Sequence, residues 1–335
     1  MVMAASPESL ATPVGRVPRI TGRLGGREAF GRLRMRLGIG RSRYRVTPGL
    51  YAIGSPSPDS PVLVTANYKL TFDTLRRDVD GIDAWILVLD TDGINVWCAA
   101  GKGRFGTEEV VTRVQQARLA ELVSHRTIVL PQLAAPGVAA HDVRERTGLR
   151  VVYGPVRSRD IGAFLEARMH ATEAMRRVTF SLPERAELVG VEVVEHFKIV
   201  LPVVLVLALL GSHSVWAGLV RAAPYVVALL VGTVVVPLVL PWIPVRSFAL
   251  KGAVVGAPLI AISLLLPGGI ASLPAAVGTV LAGTAIASYS AMNFTGSSTF
   301  TSPSGVEREM RRALPLQVGA LVAGLVTLAA QGIWG

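Results

Sequence analysis

The sequence predicts a chain in two parts: an α/β domain followed by an all-α transmembrane domain of about five helices. Three observations predict it. Short apolar runs alternate with helical stretches from Pro61 onwards. Asp and Glu are scattered through Asp59–Glu195, but after Glu195 only Glu307 and Glu309 remain. The second half also holds runs free of Asp, Glu, Lys and Arg, at 199–220, 222–245, 252–306 and 313–335. A helix crosses the hydrocarbon core with ~20 mostly apolar residues, so each run can supply a span.

The predicted organisation is a basic N-terminal extension over 1–60, an α/β domain over 61–180, an amphipathic linker helix over 181–196 and a transmembrane domain over 197–335. The extension holds ten arginines (Arg16, Arg19, Arg23, Arg27, Arg32, Arg34, Arg36, Arg41, Arg43 and Arg45) against Glu8, Glu28 and Asp59. Most of the formal net charge of +11 is therefore local. Such an arm suits nucleic acid, anionic lipid or plain solvation; beside a membrane, lipid is the better partner and nucleic acid is not expected.

In the α/β domain, Pro61–Ala66 and Ala84–Leu89 read as buried strands, as do Thr127–Leu130 and Arg150–Val152. Helices are predicted through Asp73–Val79, over Thr107–Val123 with Thr107 as N-cap, and over Gly137–Arg146. β-branched strands alternating with helices predict a parallel sheet covered on both faces. Ligands of such sheets sit at the carboxyl ends of the strands, here Thr65–Asn67, Asp90–Ala100, Pro131–Leu133 and Tyr153–Val156.

The segment richest in chemistry is Asp90–Gly106, DTDGINVWCAAGKGRFG, which contains the single cysteine of the chain, Cys98. One cysteine excludes an intrachain disulfide, a CxxC pair and a self-contained iron–sulfur cluster. A P-loop fails because Gly103, not Ser or Thr, follows Lys102. Gly101–Gly106 matches GxGxxG, yet the next strand ends in Pro131-Gln132, with no acidic residue for a ribose. Two readings of Cys98 stay open on pattern alone. A thiolate beside Lys102 at a helix start is a good soft-metal ligand; a small buried apolar residue is the plainer alternative.

Asn95–Lys102, NVWCAAGK, resembles the signature of the corrinoid protein of the mercury-methylation pair. That family joins a domain related to the large subunit of the corrinoid iron–sulfur protein to a five-helix membrane domain. Val64–Asp73, Leu130–Gly137, Tyr153–Arg157 and the loop Ala291–Met310 resemble further family segments, so the resemblance runs from about residue 45 to the C-terminus. It implies a Rossmann-like corrinoid-binding domain with a cobalamin-type cofactor and Cys98 as the lower axial ligand of cobalt. It also implies a cap helix under the ring. Ala99, Ala100 and Gly101 would allow close approach of the ring, Asn95 would bond the turn or the sulfur, Trp97 would wall the pocket, and Val96 and Lys102 would complete the motif. Thr65, Gln132 and Gly154, at the other strand ends, are expected to contact the cofactor. The usual histidine ligand of DxHxxG has no candidate among His125, His141, His170, His196 and His213.

The activity implied is a corrinoid-dependent methyltransferase that moves a methyl group from cobalt to Hg(II), forming methylmercury; carbanion and radical transfer both stay open. A ferredoxin-like partner with two [4Fe–4S] clusters would supply electrons, and a methyl donor protein or methylated pterin the methyl group. The alternative is a corrinoid methyl carrier for another acceptor, in one-carbon metabolism or toward another metal or metalloid. A receptor or transporter with a sensing domain is disfavoured, because the spans hold almost no ionisable groups.

Five spans are expected, near 197–212, 222–243, 247–266, 270–292 and 313–333, with Pro267-Gly268-Gly269 separating two of them. Placing the α/β domain inside puts Arg246, Lys251, Arg308, Arg311 and Arg312 on its side and only Arg221 opposite. The positive-inside rule then makes that domain cytoplasmic and the chain a multi-pass protein of the cell (inner) membrane. No N-terminal segment has the apolar core of a signal peptide, so the helices are expected to direct insertion themselves.

Overall fold

The computed structural model describes residues 8–40, 44–210, 214–266, 272–298, 300–301 and 303–334. The chain divides into two compact units, one of Met1–Met35 with Ile39–Val178, the other of Arg36–Gly38 with Thr179–Gly335.

The first unit is built on seven strands: β1 (Ser9–Thr12), β2 (Gly15–Ile20), β3 (Gly49–Ile53), β4 (Val62–Ala66), β5 (Ala84–Leu89), β6 (Thr127–Leu130) and β7 (Arg150–Tyr153). Their order across the sheet is β1-β2-β3-β5-β4-β6-β7. Only β5, β4, β6 and β7 form the expected parallel set. β3 runs antiparallel to β5, β2 parallel to β3, and β1 antiparallel to β2, so the sheet is mixed. Residues on both sides of position 60 thus contribute strands to one sheet. β2 and β3 bury residues on both faces: Val17 and Ala52 enter one core and Ile20 and Ile53 the other, so no apolar alternation marks them in the sequence.

Helices α1 (Gly26–Arg36), α2 (Lys69–Asp78), α3 (Val96–Gly101), α4 (Thr107–Gln116), α5 (Leu119–Leu122), α6 (Ala140–Thr147), α7 (Ile161–Glu166) and α8 (Glu173–Arg176) connect and flank the strands. Strand alternation builds two cores. Val62, Val64, Ala66, Leu87 and Leu89 face a cluster holding Val96, Ala99, Ala100 and Phe105 of the α3 region and Val110 of α4. Leu63, Ile86, Val88 and Val129 face Phe72 and Leu75 of α2 and Phe164 of α7. The expected helix 107–123 is broken at Arg118, whose φ of 49° is left-handed, which separates α4 from α5. Thr107 is not its cap: Gly106 occupies that position, and the Thr107 hydroxyl accepts instead from the Ala139 amide at 2.9 Å.

A buried ion cluster ties the N-terminal segment to α2. Asp73, fully buried, accepts from Lys69 Nζ at 2.8 Å and Arg76 Nε at 2.8 Å. Arg76 also donates to the Thr21 carbonyl at 2.7 Å and pairs with Glu28. Burial pushes the Glu28 carboxyl up, but the Gly25 amide and the charges of Arg76 and Lys69 outweigh it and hold the group below its usual range. Buried charges persist only when paired in this way.

The second unit holds α9 (Leu182–Leu210), α10 (Val215–Leu230), α11 (Val236–Val239), α12 (Phe248–Ser263), α13 (Leu273–Asn293) and α14 (Pro303–Trp334). The expected linker helix and first span are one continuous helix, α9; the end of the 197–212 span and the Pro267-Gly268-Gly269 break lie outside the described residues. A π-turn at Val231–Val235 joins α10 to α11 one turn before Pro237, and a 3-10 turn at Leu240–Trp242 follows. Proline removes an amide from the ladder, and such turns absorb the defect. Among the described residues, three helices are long and apolar enough to cross a membrane: Val215–Trp242, Leu273–Gly296 and Ser304–Ala330. Phe248–Ser263 is apolar but shorter. Lys251, expected as a loop cation, is buried within α12, where Nζ donates to the carbonyls of Leu240 at 2.9 Å and Ile243 at 2.7 Å.

Small residues set the helix contacts. A Cβ on Gly324 would lie 2.6 Å from the Gly278 carbonyl oxygen, and one on Gly252 would lie 2.5 Å from the Ala287 carbonyl oxygen. Membrane helices associate through such close backbone approach, because lipid offers no hydrophobic drive between them.

Candidate functional site

The parallel strands reverse their order between β4 and β6: β5 lies to one side of β4, and the chain then crosses to β6 on the other. In open α/β sheets the crevice at that switch point, beyond the carboxyl ends, is where ligands bind. The β5–α3 connection, Asp90–Asn95, lies there, and α3 packs on β4 and on the 3-10 turn Gln132–Ala134 after β6.

Asn67, at the end of β4 and buried, organises that connection. Its Nδ2 donates to Asp90 Oδ1 at 2.9 Å. Its Oδ1 accepts from the Thr91 amide at 3.1 Å, the Thr91 hydroxyl at 2.9 Å and the Gly93 amide at 2.9 Å. Asp92 and Gly93 both take left-handed backbone, φ 56° and 71°, and the Asp90 carboxylate accepts from the Asp92 amide at 3.2 Å. The left-handed backbone favours glycine at 93, and a Cβ there would lie 2.7 Å from the Arg45 side chain, which would have to shift. The Asp90 amide donates to Glu109 Oε1 at 2.7 Å, anchoring the start of the loop to α4.

Helix α3 then begins with Asn95 as its N-cap, whose Oδ1 accepts from the Cys98 amide at 2.9 Å. This bond fixes the backbone that carries the thiol and satisfies one of the orphan amides of the first turn. One face of α3, formed by Val96, Ala99 and Ala100, is buried in the core. The opposite face presents Trp97, 41% exposed, with Cys98, Gly101 and Lys102, all exposed. The Ala99 carbonyl accepts from the amides of Arg104 at 2.8 Å and Phe105 at 3.1 Å, and Gly103 turns left-handed, so the chain reverses and Phe105 re-enters the core. Gly137 presses on this return: a Cβ there would lie 2.3 Å from the Phe105 carbonyl oxygen and 3.0 Å from Ala100 Cα.

Gly101 differs from these glycines. Its φ lies outside the left-handed region and a Cβ would meet no atom of the chain within 4 Å. A glycine in a helix costs roughly 0.5–1 kcal/mol relative to alanine, and nothing in the fold of this unit demands it. The exposed face of α3 thus carries a thiol beside open space at Gly101, with Trp97 and Lys102 around them. Lys102 on this face is exposed, and Arg104 beyond it pairs with Asp92 at 3.0 Å. Among the described residues no group of three or more His, Cys, Asp or Glu is placed to hold a metal ion, so a metal at Cys98 has to bring its other ligands with it, as a macrocycle does. These residues fit a corrinoid.

The octapeptide Asn95–Lys102 is therefore one structural unit, divided into a buried and an open face. The other expected contacts are placed differently. Thr65 is 1% exposed and, by strand alternation with Val64 and Ala66, lies on the α2 side of the sheet, opposite the core that receives α3. Gln132 stands at the β6 end beside α3, with its side-chain oxygen accepting from Arg176 at 2.8 Å. Gly154 is buried against Val129 and Phe164, also on the α2 side. Asn67 and Gly93 are the residues that sequence reasoning passed over. Asn67 closes a strand end already marked as a ligand edge, and DG at Asp92-Gly93 is a turn signal.

Residues 33–165 match the family model described as CO dehydrogenase/acetyl-CoA synthase delta subunit. The chain is also similar to gamma subunits of the acetyl-CoA decarbonylase/synthase complex. The match to that of Archaeoglobus fulgidus is 38% identical over 128 residues, 38% of this chain and 27% of the relative. For Methanocaldococcus jannaschii it is 39% over 127 residues, 37% and 26%. For Methanosarcina acetivorans it is 38% over 130 residues, 38% and 27%. The chain thus spans about a quarter of the length of the curated relatives it matches. The family match includes β4, the Asp90–Asn95 loop, α3 and Cys98.

Proposed function

We propose that the chain is a membrane-anchored, corrinoid-dependent methyltransferase with Cys98 as the lower axial ligand of cobalt and Hg(II) as the methyl acceptor, the product being methylmercury. One observation carries the ligand assignment: α3 turns its only nucleophilic side chain, Cys98, out of the core, beside open space at Gly101. A structural cysteine of a small helix is expected on the buried face, beside Ala99. The similarity of residues 33–165 to the delta-subunit model supports a corrinoid methyl-transfer role, and the NVWCAAGK octapeptide supports mercury as the acceptor.

When bound, a corrinoid would supply a cobalt centre able to carry and transfer a methyl group, and Cys98 would hold it. The rest falls to the chain. Cys98 offers Sγ, and Asn95, held by its bond to the Cys98 amide, fixes where that sulfur stands. Val96, Ala99 and Ala100 anchor the helix, Trp97 gives the open face an apolar wall, and Lys102 offers a donor to a polar substituent of the ring. The Asn67-centred loop sets where α3 begins at the switch point. Thr65 and Gly154 act from below the sheet, as packing that shapes the strand ends, while Gln132 stands at the edge. A ferredoxin-like protein with two [4Fe–4S] clusters is the proposed reductant, and a methyl donor protein or methylated pterin the proposed methyl source. The helices of the second unit anchor the chain in the cell membrane, with the α/β unit on the cytoplasmic side by the distribution of Arg246, Arg308, Arg311 and Arg312.

The test is the visible spectrum of the purified chain with corrinoid, repeated with Cys98→Ala. A thiolate ligand gives the wild type a cobalt spectrum that the variant loses, and methylmercury formation disappears with it. An unchanged spectrum in Cys98→Ala refutes the ligand assignment. A second reading keeps the corrinoid and changes the acceptor: the named relatives belong to an acetyl-CoA decarbonylase/synthase complex, which favours a methyl carrier of one-carbon metabolism. Corrinoid binding through Cys98 without methylation of Hg(II), with reductant present, selects it.

A further inference from the structure

The second unit contains a cleft of about 1260 Å³ between α12, α13 and α14. Its outer end is lined by Arg246, Arg308 and Arg312, all exposed. Among the described residues none of the three has a carboxylate within ion-pair distance, and the acidic groups nearby have other partners. Glu307 pairs with Arg311 at 2.6 Å. Glu309, itself in the cleft, accepts from the Ser247 hydroxyl at 3.0 Å and the Ala249 amide at 2.7 Å, capping α12. The outer end therefore has a surplus of positive charge with fixed surroundings.

The inner end is polar but unsatisfied. Gln317, 7% exposed, donates through Nε2 to Ser288 Oγ at 2.9 Å. Ser288 spends its own proton on the Ala249 carbonyl at 2.8 Å, so the orientation of the Gln317 amide is determined and its Oε1 is left as an acceptor. Gln317 Oε1 and Thr284 Oγ1 are both buried with no partner in the chain. Buried polar atoms of native proteins are otherwise met by protein or water. Gln317 lies five residues beyond Arg312 on α14, roughly 7.5 Å along the helix at 1.5 Å per residue. Between them Leu316, 75% exposed, opens the cleft sideways toward the surface that a bilayer would cover.

We infer that this cleft is a binding site for an anionic phospholipid. The phosphate meets Arg246, Arg308 and Arg312. The ester region, one step deeper, reaches Thr284, which donates to a carbonyl, while water held there donates to Gln317 Oε1. An acyl chain leaves past Leu316. Basic pockets between membrane helices hold anionic headgroups by this combination of charge and depth. The inference goes beyond the methyl-transfer reading and rests only on the helices spanning a bilayer, so its failure leaves the Cys98 assignment untouched.

The experiment is native mass spectrometry of the full chain released from micelles doped with phosphatidylglycerol or phosphatidylcholine, with inorganic phosphate as a competitor. The wild type should retain phosphatidylglycerol in preference to phosphatidylcholine. Each arginine near a membrane surface contributes roughly fivefold to binding, so Arg308→Gln with Arg312→Gln should lower affinity about 25-fold. Leu316→Trp, which narrows the side opening without changing charge, should lower it as well, and Arg311→Gln, outside the cleft, should not. Equal loss in Arg311→Gln would show diffuse attraction and overturn the site. So would full retention in the double variant or in Leu316→Trp, or displacement of the lipid by millimolar inorganic phosphate, which would identify a free-anion site instead.

Discussion

Replacing Gly101 by alanine separates the needs of the fold from those of the ligand. The added methyl meets no atom of the chain within 4 Å, and the backbone is already compatible with alanine. The unliganded protein should gain roughly 0.5–1 kcal/mol from the lost glycine entropy. For a unit of this size that is a rise of about 1–4 °C in midpoint. A flat ring resting on the open face of α3 meets the same methyl first. Withdrawing ~60 Å² of apolar contact at ~25 cal/mol/Å² costs about 1.5 kcal/mol, which is about tenfold in affinity. Thermal unfolding of the unliganded chain in detergent measures the first quantity, and titration with a corrinoid followed by visible absorbance measures the second. The two changes should have opposite signs. Gly101→Ala with raised stability and unaltered corrinoid affinity would refute the placement of the ring on this face.

Asn67→Ala removes a hub of four hydrogen bonds and strands two amides; it should destabilise the first unit by about 2–3 kcal/mol. Hydrogen exchange at Thr91 and Gly93 should accelerate more than at β4, and a uniform change across the unit would argue against a local role. Glu28 has a depressed pKa in the folded state, so its stabilisation is full above its unfolded value of about 4.5 and is lost as pH falls through the folded value. The midpoint difference between wild type and Glu28→Gln should therefore shrink between pH 6 and pH 3, and a constant difference would contradict the ion-cluster account. Gly324→Ala places a carbon 2.6 Å from the Gly278 carbonyl oxygen and should cost about 1–3 kcal/mol by overpacking. Gly319→Ala on the same helix has open space and should be neutral or slightly stabilising; denaturant titration in detergent compares the two.

The parallel strands were legible because each is short, apolar and β-branched, and the four, β5, β4, β6 and β7, lie side by side as the βα alternation predicts. β1, β2 and β3 were not legible: Arg16 and Arg19 interrupt β2, and Val17 and Ala52 enter one core while Ile20 and Ile53 enter the other, so no period of two shows. Thr107 misled for a related reason. A threonine before an acidic turn suits an N-cap, but the Ala139 amide, from a distant part of the chain, competes for its hydroxyl. In the second unit, charge-free runs revealed apolar helices, while their ends shifted: α9 and α14 begin well before the apolar stretch, because a helix continues through charged residues that water can solvate.

Cys98 shows the division most clearly. Sequence by itself determined that the chain has one thiol, that it lies beyond the second strand of the parallel set, and that neither a P-loop nor an intrachain disulfide surrounds it. Those are properties of residue type and spacing. Whether the thiol faces the core or the crevice depends on the rotation of a six-residue helix, too short for periodicity to reveal. Tertiary contacts decided it: Val96, Ala99 and Ala100 fill the core, the Asn67-bound loop sets where α3 begins, and Cys98 is turned outward beside Gly101.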